Sequence, residues 1–220
     1  MDVNTNAVKP SRRFQKPAGG SEAAMPDVSA IVLAGGKSSR FGQDKAFLEL
    51  GGETLIARVL SRVSQIGREV IIVTNSVEKF SSMKASLVKD FYPGQGSLGG
   101  IYSGLRAARY PYGLVVACDM PFLNPELLRY LASLAPGYDV VIPRLDGLPE
   151  PLHAVYSKNC LLPIDRLLAS GGRKIIDFFP YVRARYVEDE EIARLDPQKL
   201  SFFNINTPED LEEAHKLLEK

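Results

Sequence analysis

Val28-Ser29-Ala30-Ile31-Val32-Leu33, continued by Ala34-Gly35-Gly36-Lys37-Ser38-Ser39-Arg40-Phe41-Gly42-Gln43-Asp44-Lys45, is the stretch on which the fold turns. A short, almost wholly apolar run describes a strand covered on both faces, as in a mainly parallel sheet. The glycines directly after it let backbone N–H groups approach an anion, and Lys37, Arg40 and Lys45 bring positive charge against a polyphosphate. The stretch reads as a strand running into a phosphate cradle. Two familiar cradles are excluded by spacing: a Walker loop ending at Gly36-Lys37-Ser38 would need glycine where Ile31 stands, and no Gly-x-Gly-x-x-Gly begins in the loop. A flexible basic turn between strand and helix is the plainer alternative.

Outward from this stretch, apolar runs alternate with segments of helical period, which predicts an α/β domain with helices on both faces of the sheet. Strands are expected at Val28 to Leu33, Val70 to Val73, Leu87 to Lys89, Leu114 to Ala117, Val140 to Ile142 and Ala154 to Tyr156. Leu55, Ile56, Val59, Leu60, Val63 and Ile66 share one helical face, and Gly67 stops that helix. Asn124 before Pro125 opens a second helix with Leu127, Leu128, Leu131 and Leu134 inward. Thr207-Pro208-Glu209-Asp210 opens a last one on Leu211, Ala214, Leu217 and Leu218. In open sheets of this kind ligands lie beyond the carboxyl ends of the strands, so those positions carry the search for function.

The bulk composition narrows the classes. The chain has 220 residues, 45% hydrophobic and 24% charged, which suits one soluble globular domain. With 27 basic and 26 acidic residues the net charge is +1, so no global field draws it to nucleic acid or an anionic membrane, and any anion is held locally. Cys118 and Cys160 are too few and too far apart for a disulfide scaffold or zinc cluster and read as buried thiols. No apolar run approaches the roughly 20 residues of a membrane span, and no signal-peptide core is present, so a cytoplasmic location is expected. Residues 1–27, rich in Lys, Arg, Pro and Gly, read as a disordered extension, and 28–220 as a single domain.

Two further carboxylates follow strands. Asp119 ends the apolar run Leu114 to Ala117. A hard cation such as Mg²⁺ takes only one or two protein carboxylates beside phosphate and water, so one well-placed aspartate suffices. Helix capping would be its structural alternative, but Asn124 already holds the cap before Pro125. Asp90 precedes Pro93-Gly94-Gln95-Gly96-Ser97-Leu98-Gly99-Gly100, expected to be a flexible segment able to wrap a nucleotide while Asp90 accepts from base or ribose. A solvated charge entering a loop competes with that role. Asn75, Asn204 and Asn206 are weaker candidates, since asparagines at strand ends more often form turns. His153, before an apolar run, reads as a packed or hydrogen-bonded structural histidine rather than a base.

At the first loop the chain resembles the molybdenum cofactor guanylyltransferases, within the NTP transferases of Rossmann-like, three-layer α/β/α fold. The resemblance continues in order through Gly94 to Gly100, Cys118-Asp119-Met120-Pro121, Pro151-Leu152-His153-Ala154-Val155-Tyr156 and Asn204-Ile205-Asn206-Thr207-Pro208-Glu209-Asp210. It implies an enzyme that moves GMP from GTP to the terminal phosphate of molybdopterin with Mg²⁺ on Asp119. It also implies Arg40, Lys45 and Asp119 in catalysis, and GTP contacts at Leu33, Ala34, Gly35, Lys45, Asp90 and Asp119. Gly36, Asn75, Asn204 and Asn206 would be further substrate contacts, the last two on the acceptor side. Transient partners would be proteins that deliver the cofactor or mature molybdoenzymes. Relatives often carry Gly-Pro-Leu where this chain has Gly96-Ser97-Leu98, so a less rigid loop is expected. The rivals are a molybdopterin cytidylyltransferase or sugar-phosphate nucleotidyltransferase of the same fold, and a non-catalytic nucleotide- or cofactor-binding module. Ala34-Gly35-Gly36 with Asp44-Lys45 looks guanylyl-like, whereas cytidylyl relatives tend to open with Ala-Ala-Gly.

Overall fold

Alternation along the first strand sets the layers. In the computed structural model, which describes residues 25–35, 41 and 44–219, Val28–Leu33 forms β1 and is buried throughout. Val28, Ala30 and Val32 pack into one core, while Ile31 and Leu33 pack into another on the opposite face. A period of two on a strand buried on both sides demands two apolar layers, and helices supply both.

β2 (Glu49–Leu50) and β3 (Glu53–Thr54) follow as a small hairpin, then α1 (Leu55–Val63), β4 (Glu69–Val73), β5 (Ser86–Val88), α2 (Gly96–Ala107), β6 (Tyr112–Ala117) and α3 (Pro125–Ser133). The second half holds β7 (Val140–Leu145), β8 (Leu148–Pro149), β9 (His153–Ser157), α4 (Leu161–Ala169), β10 (Ala184–Val187), α5 (Asp189–Ala193) and α6 (Pro208–Leu218). The main sheet runs β10-β7-β9-β6-β1-β4-β5, with β8 paired to β7. β6, β1, β4 and β5 are mutually parallel, and β10 is parallel to β7. β9 runs antiparallel to both its neighbours. α1 and α3 cover one face through Ile56, Val59, Val63, Leu127, Leu128 and Leu131; α2 and α4 cover the other. The mainly parallel, three-layer architecture is therefore the one expected.

The expected helix openings are present. Asn124 accepts from the N–H of Glu126 before Pro125, and Thr207 and Asp210 form a reciprocal capping box at α6. The first helix has regular α geometry only to Val63, with a turn through Ile66 closed by Gly67 N–H on the Val63 carbonyl. The strand expected at Leu87 to Lys89 lies one residue earlier.

The segment expected to be flexible needs correcting. Only its start is a turn, with Gly94 and Gly96 at φ of 83° and 66°. From Gly96 the chain is helix, and the later glycines serve close packing. A Cβ on Gly104 would stand 2.4 Å from Ile31 Cγ2, and one on Gly99 2.9 Å from the Tyr92 carbonyl oxygen. Glycine clusters look alike whether they bend the chain or let a helix lie close on a sheet. Ser97 sits in the first turn of α2, where proline is also tolerated, so its presence there does not loosen a loop.

A third, smaller core fixes the approach to the site. Leu48, Leu50, Leu55, Ile205 and Ala214 bury together, joining the hairpin after Lys45 to α6. Gly51 and Gly52, at φ of 60° and 78°, make the two-residue hairpin turn. The extension expected over residues 1–27 falls outside the described residues up to residue 24. Among the described residues no helix is long and apolar enough to cross a membrane.

Candidate active site

The carboxyl ends of β4, β1 and β6 are pinned side by side. Ala34 N–H donates to the Val73 carbonyl at 2.9 Å, and Cys118 N–H donates to the Leu33 carbonyl at 3.1 Å. These bonds extend the sheet one residue past β1 and β6, so the residue after Cys118 leaves a rigid platform. That residue is Asp119. Its own carbonyl accepts from Ile205 N–H at 3.0 Å, which ties the segment before α6 to the same ledge.

Three side chains converge there. Lys45 Nζ lies 2.6 Å from Asp119 Oδ2 and 2.9 Å from Asn206 Oδ1. Lys45 opens a short 3-10 turn whose N-cap, Asp44, accepts from Ala46 N–H; Asp44 also pairs with Lys79 at 3.2 Å. Ala46 and Leu48 are buried beneath, and Phe47 packs on Phe80 at 5.0 Å. Asn206 is oriented by its own N–H, which donates to Asp210 Oδ2 at 2.7 Å in the α6 cap. The lysine is therefore aimed from a fixed turn at a carboxylate on the sheet and an amide on the helix cap.

Asp119 Oδ1 is buried and has no hydrogen-bond partner among the described residues. A buried carboxylate oxygen with no partner costs about 1–3 kcal/mol or more, which native structures rarely leave uncompensated. An oxygen of this kind suits a hard divalent cation. Among the described residues no group of three or more His, Cys, Asp or Glu could chelate a metal. A cation here would thus take most of its ligands from phosphate and water, as Mg²⁺ commonly does.

Gly35 is the last described residue of the loop after β1 before Phe41. A Cβ there would meet nothing within 4 Å among the described residues, so packing against those residues does not require glycine. Ala34 uses its N–H on the neighbouring strand, so backbone donors toward an anion begin at Gly35. Gly36, Arg40 and Lys37 lie outside the described residues.

Asp90 stands apart, past the end of β5 and two strands from β1, about 10 Å across the sheet. Its Oδ1 accepts from Tyr92 N–H at 3.0 Å and Ser103 Oγ–H at 2.9 Å. It is neither a freely solvated charge nor part of the Asp119 cluster. Asn75 is exposed after β4. Asn204 donates its amide to the Phe202 carbonyl at 2.9 Å, a turn-forming use, while Asn206 alone of the pair reaches Lys45. The lysine–aspartate contact had no signal in sequence, since 74 residues separate the two. Ser103 was missed as well, looking like one more small residue in a glycine-rich run.

Neither thiol nor imidazole is poised for chemistry. Burial, with Asp119 alongside, pushes the Cys118 thiol up to about 12. Cys118 keeps some exposed surface while Cys160 is fully buried, so only the second matches the expected buried thiol, and neither forms a disulfide. His153 is fully buried against Phe202 at 4.6 Å, and burial lowers its pKa to about 3. The Ser201 backbone lies near enough to oppose that slightly, but outside hydrogen-bond geometry, and neither ring nitrogen is bonded among the described residues. Of the two structural alternatives expected, packed or hydrogen-bonded, it is the packed one.

Comparison with known proteins agrees with the fold. Residues 30–187 match the MobA-like NTP transferase domain. The chain is 43% identical to a probable molybdenum cofactor guanylyltransferase of Pelotomaculum thermopropionicum over 89% of this chain and 95% of that one. Among solved structures it resembles a molybdopterin-guanine dinucleotide biosynthesis protein A from Archaeoglobus fulgidus, with TM-score 0.78 and 34% identity over 87% of this chain and 99% of the other. A 2-C-methyl-D-erythritol 4-phosphate cytidylyltransferase from Thermus thermophilus shares the fold at TM-score 0.69 and 20% identity, over 88% of this chain and 100% of that one.

Proposed function

The chain belongs to the MobA-like NTP transferase family, and on that premise we propose that it transfers GMP from GTP to the terminal phosphate of molybdopterin. The observation that carries the reading is the convergence of Lys45, Asp119 and Asn206 at the carboxyl ends of the sheet, with Asp119 Oδ1 left unpaired. A terminal phosphate oxygen of the acceptor attacks the α-phosphorus of GTP in line. The bond from that phosphorus to the bridging oxygen breaks, and pyrophosphate leaves with the electron pair. A phosphate monoester with a second pKa near ~6 is already largely ionised at neutral pH, so no strong base is required. The buried, neutral His153 and the un-ionised Cys118 are consistent with chemistry that needs none.

Nucleotidyl transfer in this family typically uses a divalent metal, and we take it to be Mg²⁺, held through Asp119. When bound it supplies Lewis-acid stabilisation of negative charge on the triphosphate. The chain's own residues do the rest by position and charge. Lys45, oriented by Asp119 and Asn206, is assigned to the triphosphate, where its charge would offset that of the leaving pyrophosphate. Arg40 is assigned a similar task. Leu33, Ala34 and Gly35 line the nucleotide, Asp90 accepts from base or ribose, and Gly36 and Asn75 border it. Asn204 and Asn206 face the acceptor side. The cytoplasm is the compartment proposed, with cofactor-delivering and molybdoenzyme-maturation proteins as transient partners.

Pyrophosphate release, measured with each of the four NTPs with and without molybdopterin, tests this. Release only with GTP and only with acceptor is the expected result. Turnover with CTP alone would move the enzyme to the cytidylyl branch, and no turnover with any NTP would favour a binding module.

A further inference from the structure

Ser103 lies in the middle of α2, fully buried, and faces the loop that follows β5 rather than the sheet. Its hydroxyl accepts from Phe91 N–H at 2.9 Å and lies 2.9 Å from Asp90 Oδ1 and 2.7 Å from the Gly99 carbonyl. One hydroxyl carries one proton. The carboxylate is the stronger acceptor for it, since charge-assisted hydrogen bonds are roughly twice as strong as neutral ones. With Tyr92 N–H also on Oδ1, that oxygen is saturated by protein donors. Oδ2 has no partner among the described residues, so the carboxylate is held by one oxygen and offers the other.

The loop itself is clamped. Tyr92 Oη–H donates to Asp165 on α4 at 2.6 Å, and the Tyr92 ring meets Tyr102 edge-on at 5.2 Å. The Arg106 guanidinium stacks over Phe91 at 4.8 Å. Gly99 lets the loop lie on the helix backbone: a Cβ there would stand 3.3 Å from Asp90 Oδ1. α2 therefore serves as the rigid back wall against which the Asp90 carboxylate is set.

We propose that Ser103 is a positioning residue for nucleotide recognition, fixing the Asp90 carboxylate by its Oδ1 so that Oδ2 is presented to N–H or O–H donors of the nucleoside. The inference rests on the assignment of Asp90 to GTP recognition. Ser103 touches no reacting atom, so its removal raises the KM for GTP and leaves kcat nearly unchanged.

The test compares Ser103→Ala, Ser103→Thr and Asp90→Ala in the full-length protein. The measurements are GTP binding by calorimetry, steady-state pyrophosphate release and thermal unfolding. Asp90→Ala and Ser103→Ala are both expected to weaken GTP binding, the latter by ~10-fold with kcat within about twofold. Ser103→Thr, which keeps the hydroxyl, is expected to restore affinity. Ser103→Cys, similar in size but a weak donor, repeats the test if the alanine variant does not accumulate. Strong loss in Asp90→Ala with GTP affinity unchanged in Ser103→Ala overturns the positioning role. A loss in Ser103→Ala confined to melting temperature also overturns it, showing packing alone. Unchanged affinity in Asp90→Ala removes the Asp90 assignment itself, and with it the inference.

Discussion

Replacing Asp119 with asparagine separates function from fold, because opposing terms in stability cancel while those in catalysis do not. On the stability side, the variant loses an ion pair with Lys45 at 2.6 Å whose side chains are 19% and 16% exposed. Such a partly buried pair lies between exposed pairs and fully buried ones, so roughly 1–3 kcal/mol is lost. Against this, the charge behind the unpaired, buried Oδ1 disappears, returning roughly 1–3 kcal/mol of desolvation cost. The net change is about 1 kcal/mol of either sign, which for a domain of this size moves the melting temperature by about 2–4 °C. On the catalytic side, the metal loses its proposed protein carboxylate. Several kcal/mol of transition-state stabilisation depend on it. At 1.36 kcal/mol per tenfold, a loss of about 4 kcal/mol lowers turnover roughly 10³-fold. Pyrophosphate release in Mg²⁺, a melting curve and Mn²⁺ binding by electron paramagnetic resonance read the three quantities separately. Turnover within tenfold of wild type would refute the metal role, and a melting temperature lowered by ~10 °C or more would show that Asp119 belongs to the fold.

Stability between pH 4.5 and 6.5 should fall with acid because of His153. Its folded pKa of about 3 lies below the ordinary imidazole value of 6.5, so the unfolded chain binds the extra proton in that window. The contribution is complete above pH 6.5 and is lost as pH falls, reaching about 2–3 kcal/mol at pH 4.5. Half-buried Glu150, raised by burial, acts in the opposite direction, so the decisive quantity is the difference between wild type and His153→Leu in urea titrations at each pH; equal slopes would contradict the buried neutral state. Gly104→Ala should destabilise by about 1–3 kcal/mol, because its methyl would meet Ile31 at 2.4 Å, with GTP affinity retained per folded molecule; an unchanged chemical denaturation midpoint would show that α2 can move off β1. Gly35→Ala should do the reverse, leaving stability intact where no described atom lies within 4 Å while weakening GTP binding about tenfold or more, and calorimetry showing wild-type affinity would take the phosphate away from that glycine.

What could be read from sequence follows how local the determining physics is. β1 was legible because burial on both faces makes it uniformly apolar, and the caps at Asn124 and Thr207 because each acts within three residues. The small strands β2, β3 and β8 lack enough residues to show a period. β10, Ala-Arg-Tyr-Val, carries an arginine that lies along Glu191 and so disguises the strand. α2 was hidden for a different reason: Gly96, Gly99, Gly100 and Gly104 lower helix propensity, and while Gly96 serves the turn through its positive φ, only contact with Ile31, Leu33 and Tyr92 shows why the other three are present. At the site, Asp119 and Lys45 were visible as charged residues just past a strand and a glycine loop. Their contact with each other was not, because it is made by the packing of three distant segments.

That packing explains why the site lies between β6 and β1. From β1 the chain moves to β4 and β5 on one side, and β6 leads to β9 and β7 on the other, so the connections diverge and leave a crevice at the carboxyl ends. Each converging group comes from a different side of that crevice. Asp119 comes from the sheet, where the Leu33 and Ala117 register fixes it. Lys45 comes from the β1–β4 connection and Asn206 from the segment before α6, and the small core of Leu48, Leu50, Leu55, Ile205 and Ala214 locks those two together. The carboxylate proposed for the cation is thus the group set directly on the sheet. Charge stabilisation works best when the charged groups do not reorganise as the transition state forms, so a carboxylate set on the sheet and a lysine aimed from a fixed turn both suit the roles proposed for them.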